Sequence, residues 1–206
     1  MMHMFVRNTL PFFLFVIIFS TCDSPREVSK EELIAYTLDE DNGLIQTINA
    51  GQYQLDLVYH PTDLMVLQEL GESIPDTSRI NQLRTKYSGH HYFLLQISKN
   101  GSEILNLENG QDEYSQLLQT LAFHMPQYVT TVQGSDTTSL SDFMLDRTYG
   151  MANSTNLLLV FESNEEPVNE EILIQISEFG LGIGSVQFRF NADDLEKAPK
   201  VKFPIY

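Results

Sequence analysis

The chain has 206 residues, with 12 Lys and Arg against 28 Asp and Glu, a formal net charge of −16 and one cysteine. That length suits one domain with a sizeable core, and a lone cysteine leaves no intrachain disulfide to support it. The acid excess excludes nucleic acid as a partner, because such binding needs Lys and Arg to displace counterions from phosphates. It equally excludes adsorption by charge to anionic lipid.

At the N-terminus Arg7 leads into the apolar run from Leu10 to Phe19, followed by Ser20, Thr21 and Cys22. A charged start, a short apolar stretch and a polar exit form a secretory signal. With roughly 10 apolar residues the run is too short to span a bilayer, which takes about 20. Phe19 stands where an ordinary signal peptidase site wants a small residue. The stretch Phe19-Ser20-Thr21-Cys22 resembles the lipobox of bacterial lipoproteins, departing at Phe19 and Thr21 from its commonest form. The resemblance implies lipid on the Cys22 thiol, cleavage just before it, and a membrane-anchored place in the cell envelope, periplasmic or surface-exposed. Removal of residues 1–21 would take Arg7 with it and leave 11 basic side chains against 28 acidic, a net charge of −17. Residues 22–30 are polar, include Pro25, and are expected to be a lipidated tether. A single β-rich globular domain is expected over 31–206.

Ser29 and Glu32 have capping-box spacing and predict a short helix over about 30–38. Leu44 to Ile48, the turn at Asn49-Ala50-Gly51, and Tyr53, Leu55, Leu57 and Tyr59 in strict alternation predict a β-hairpin. A helix is predicted from Thr62 or Asp63 through Leu64, Leu67 and Leu70, then a loop over 71–90 with one helical turn around Ile80 and Leu83. His91 to Ser98 is strand-like, and Asn100-Gly101 is a strong hairpin signal leading into Ile104, Leu105 and Leu107. Tyr114, Leu117, Leu118 and Leu121 fall on one helical face within 112–123.

Beyond Pro126 five strands are predicted: 128–132, 140–145, 156–161, 172–177 and 186–190. Gly134, Gly150, Asn164 with Pro167, and Gly180 to Gly184 separate them. The fold class is therefore mainly β, α+β, an antiparallel β-sandwich or partly open barrel with two or three short helices.

Candidate chemistry is sparse. His60, His90, His91 and His124 lack metal-ligand spacing, and His90 and His91 point to opposite faces of one strand, so no metal site is predicted. Asp142 and Asp146 lie roughly 13 Å apart along a strand, beyond the reach of a glycosidase carboxylate pair. The run Gly180-Leu181-Gly182-Ile183-Gly184-Ser185 has no following Lys or helix, so it is expected to be a wide turn and to hold no phosphate. Ser139, Ser141 and Ser185 lack a nucleophile elbow. Glu162, Glu165, Glu166, Glu170 and Glu171 lack the calcium-loop pattern and are expected to form a solvated turn. No cofactor is predicted.

Two functions remain. One is an envelope lipoprotein with a non-catalytic body that binds an envelope protein, glycan or other component, or serves as a structural subunit. The other is a hydrolase of envelope polymers, which requires at least two of Asp56, His60, Asp142, Asp146 and Tyr149 to converge in one cleft.

Overall fold

The computed structural model describes residues 26–105, 110–133, 136–163 and 171–203. The signal, Cys22, Leu107, Gly134, the turn at Asn164 and Pro167, and Glu165, Glu166 and Glu170 lie outside the described residues. The strands are β1 (Glu27–Val28), β2 (Ile45–Ala50), β3 (Tyr53–Tyr59), β4 (His90–Lys99), β5 (Ser102–Glu103), β6 (Val129–Gln133), β7 (Asp136–Ser139), β8 (Asp142–Asp146), β9 (Thr155–Glu162), β10 (Glu171–Ile176), β11 (Val186–Asn191) and β12 (Lys200–Val201). The helices are α1 (Lys30–Leu38), α2 (Thr62–Leu70), α3 (Thr77–Tyr87), α4 (Gln111–Gln119) and α5 (Ala192–Glu196).

Two antiparallel sheets face each other. The larger runs β2-β3-β4-β9-β8, with β5 beside the end of β4, and the smaller runs β11-β10-β6-β7. Alternation explains the core: Leu55, Leu57 and Tyr59 of β3, Phe93, Leu95 and Ile97 of β4, and Leu157, Leu159 and Phe161 of β9 are buried from one side. Ile172, Ile174 and Ile176 of β10 and Val186, Phe188 and Phe190 of β11 meet them from the other. The fold is thus mainly β and sandwich-like. The sheets touch at both edges without closing into a barrel. The Gln46 side-chain amide both donates to the Arg189 carbonyl and accepts from its N–H, extending the ladder from β2 to β11. At the other edge the chain crosses from β7 to β8 through Leu140 and Ser141.

Several expectations are corrected. Among the described residues five α-helices stand where two or three were expected. One is α3, in a stretch predicted as loop: Asp76 caps it by accepting from the Arg79 N–H, and Ile80 and Leu83 are buried. The strand expected over 140–145 is β8, which begins two residues later, and β7 before it was not predicted; the chain changes sheets between them at Leu140-Ser141. Glu27 and Val28, assigned to the tether, pair in parallel with Lys200 and Val201, and Val28 is buried. A two-residue strand carries no periodicity to read.

Other expectations hold. The Ser29–Glu32 capping box forms in both directions. The Asn100-Gly101 hairpin turn has φ of 51° and 75°, the left-handed pair that a type I′ turn demands. The glycine run is part of the wide turn joining β10 to β11.

A second apolar cluster packs α1, α2 and α3 with β1 and β12 through Val28, Leu33, Leu64, Val66, Ile80, Leu83 and Val201. Asp63 ties this layer to the C-terminal strand. Its carboxylate accepts from Arg84 Nε and Nη2, both at 2.7 Å, and from the Val201 N–H at 2.6 Å.

Candidate functional site

The outer face of the larger sheet carries a graded surface set by strand register. One row crosses Asp142, Val160 and Tyr92; the next crosses Met144, Leu158, Leu94 and Val58; the third crosses Asp146, Asn156, Gln96 and Asp56. Two rows are largely apolar and the third is polar. Val58 and Tyr92 are buried, whereas Leu158 and Val160 are half-buried and Met144 is 52 % exposed. Between the helices and edge strand β8 the sheet is left as an open groove of about 570 Å³.

Its floor is Tyr92, Leu158 and Val160, with Phe143 and Met144 on the β8 side and Met65 on the α2 side. Its polar rim comes from α2, α3 and the start of β4. Glu69 accepts from Lys86 Nζ at 2.5 Å, from Arg79 Nη2 at 3.0 Å and from the Tyr87 hydroxyl. The hydrogen bonds from Lys86 and then Tyr87 hold the Glu69 carboxyl below its usual range, and the same contact with Glu69 raises Lys86. Burial, then the bond to Glu69, raises the Tyr87 hydroxyl. Such half-exposed ion pairs stabilise little, but here they fix three side chains along one wall. At the start of β4, His90 lines the groove, and its Nδ1 is buried without a hydrogen-bond partner among the described residues.

This wall was hidden in the sequence because Lys86 and Tyr87 fall in the stretch taken as loop. The signal was present: Asp76 at the cap, with Ile80, Leu83 and Tyr87 at helical spacing behind it.

The sequence-predicted residues occupy scattered places. Asp142 lines the groove, and Asp142 and Asp146 are exposed on β8, as expected of sheet-face carboxylates. Asp56 shares the row of Asp146 but stands three strands away, about 14 Å at ordinary strand spacing. His60 follows β3, where its N–H donates to the Tyr92 carbonyl, and it too is three strands from Asp142. Tyr149 lies in the loop after β8. Among the described residues no hydrogen bond joins any two of these five. His90 and His91 face opposite ways: His90 lines the groove, while the His91 ring lies 6.1 Å from that of Tyr59 in the core. Among the described residues no three His, Asp or Glu side chains gather into a metal-binding group, and no helix is long and apolar enough to cross a membrane.

No known protein family, curated protein or solved structure matches this chain. The groove therefore stands on its own chemistry. Its apolar floor attracts apolar surface in proportion to the area removed from water, and its rim offers donors and acceptors at one side.

Proposed function

We propose that this protein is a bacterial cell-envelope lipoprotein, held to a membrane by lipid on Cys22, with a non-catalytic body that binds an envelope component in the outer-face groove. The observation that carries the binding role is the pair of apolar sheet rows left uncovered beside a hydrogen-bonded polar wall. Concave apolar sites with a few convergent polar groups are the usual form of a ligand site.

The occupant that fits is an amphiphile. Its apolar chain would lie along Val160, Leu158 and Met144, and its polar head would meet Lys86 and Tyr87. Met144 and Met65 suit such a ligand because methionine adapts its shape to irregular apolar partners. A body tethered close to a bilayer would meet amphiphiles at high local concentration.

The test is a photocrosslinker, p-benzoylphenylalanine, placed at Met144 of the full chain in living bacteria, with Gln187 on the exposed face of the smaller sheet as the reference position. We expect an adduct of lipid-sized mass from position 144 and none above background from 187. An adduct with protein alone, or equal labelling at the two positions, would sink the reading.

A further inference from the structure

A second cavity lies at one end of the sandwich, where β3 begins, β4 ends and the loop after β10 meets α4. Its volume is about 290 Å³, and Tyr53, Lys99, Glu113, Tyr114, Gln116 and Thr120 are among the side chains around it. Lys99 Nζ sits 5.6 Å from the centre of the Tyr53 ring. Arg147 Nη2 donates to the Tyr114 hydroxyl at 3.4 Å, and its guanidinium lies 4.8 Å from the centre of the Tyr149 ring. Tyr53, Lys99 and Tyr114 thus line the cavity, and Arg147 ties Tyr149 to its edge through Tyr114.

Two carboxylates hold the surrounding loops. Glu103, only 7 % exposed, accepts from the Thr148 hydroxyl, the Gly150 N–H at 3.2 Å and the Ala152 N–H at 2.8 Å. Within that clamp Tyr149 is held at a φ of 54° while 74 % exposed. A left-handed tyrosine costs backbone energy that a bare connecting loop would avoid, and such strain gathers at ligand clamps. Glu178 accepts from the N–H groups of Gly180, Leu181, Gly182 and Gly184 at 2.6 to 2.9 Å, so the glycine run is a backbone cradle filled by its own chain. Burial pushes both carboxyls up, but the bonds they accept more than offset it and hold both below their usual range.

From this arrangement we infer that the loop end is a saccharide-binding site that takes a pyranose unit of an uncharged glycan. A pyranose presents a face of weakly positive C–H groups and a rim of hydroxyls. Aromatic faces carry the complementary negative potential, and tyrosine offers such area with only two side-chain torsions to freeze. Each sugar hydroxyl both donates and accepts. The cavity answers with the donors Lys99 and Gln116 and the acceptors Glu113 and Thr120, and Arg147 joins it from outside through the Tyr114 hydroxyl.

Charge selects the class. Glu113 and Lys99 line the cavity together, so it favours neither sign, while the whole chain at −16 repels a polyanionic glycan. The clamped loops leave little ordering to be done on binding, which favours affinity. The inference depends neither on the lipid nor on the outer-face groove.

The experiment is calorimetric titration of the full chain, in a zwitterionic detergent free of sugar headgroups, with chitotriose, maltotriose, mannotriose and trigalacturonate. We expect at least one neutral trisaccharide to bind at a single site and trigalacturonate to bind at least about tenfold more weakly. Tyr149→Asn removes the ring while keeping a residue that accepts positive φ. It should weaken neutral-sugar binding by about tenfold or more without lowering the melting temperature, and Lys99→Gln should weaken it as well. Absence of binding by all three neutral trisaccharides up to about 10 mM, trigalacturonate binding as tightly as they do, or both variants binding like the wild type would overturn the inference.

Discussion

His60 shows how a single side chain sets a pH dependence. It sits between the end of β3 and Pro61, and burial pushes its imidazole down to about 4. Burial, then the neighbouring His90, lowers His91 in the same direction. A histidine that resists protonation in the fold but accepts a proton near pH 6.5 when unfolded gives stability that is complete above that value. This stability is lost as pH falls toward the folded value. The full effect of His60 is at most about 3 kcal/mol. Glu103 and Glu178, held below the ordinary carboxylate range, lose their contribution only at still lower pH. Urea unfolding from pH 7 to 4.5 should therefore show the wild type weakening below about pH 6.5, with a clearly shallower decline in His60→Leu. Equal slopes would remove His60 from the account. None of this was legible in the sequence, where His60 reads only as the polar partner of an alternating strand. Its burial depends on packing that the local pattern does not encode.

At the scale of elements, the sequence was most informative where one face alone meets the core. The β2–β3 hairpin and β11 follow from alternating apolar residues, β4, β9 and β10 from short apolar runs whose every second residue faces the core, and the Asn100-Gly101 turn from its backbone demand. It was least informative for α3, whose polar face is long and whose two buried residues, Ile80 and Leu83, mark a single turn. It also missed β1 and β12, which exist because Asp63 accepts from the Val201 N–H and Arg84 Nη2 donates to the Val201 carbonyl at 3.3 Å. That buried acceptor joins three elements, so its removal is costly. Asp63→Ala leaves Arg84 half-buried without its partner and the Val201 N–H unsatisfied, and should lower stability by about 3–5 kcal/mol. Hydrogen exchange should quicken first at Val201 and Lys202, whose N–H groups bond to Asp63 and to the Val28 carbonyl. A variant that loses less than about 1 kcal/mol would show that the helical layer holds the C-terminal strand without this contact. The groove belongs to the same lesson. Its floor was visible as strand alternation, but its wall required knowing that α2 and α3 lie on the outer face.

For the whole molecule, charge and the proposed signal bear together on location. A body with 28 acidic side chains is repelled by anionic lipid, and an apolar run of roughly 10 residues cannot span a bilayer. The proposed link to a membrane is covalent lipid, and Cys22 is the only cysteine that could carry it. A single acyl chain binds reversibly, whereas several give stable anchoring that salt does not disturb. Expressed in a bacterium, the wild type should fractionate with membranes through a high-salt wash. Its intact mass should be that of a chain beginning at Cys22 plus a diacylglycerol-sized increment. Cys22→Ser should lose the increment and the salt-resistant partition together. An unmodified wild type in the soluble fraction would break the link between leader and anchor and remove the membrane's contribution to ligand concentration at the groove. The sugar-binding mouth would keep its argument, because nothing in it depends on where the body is held.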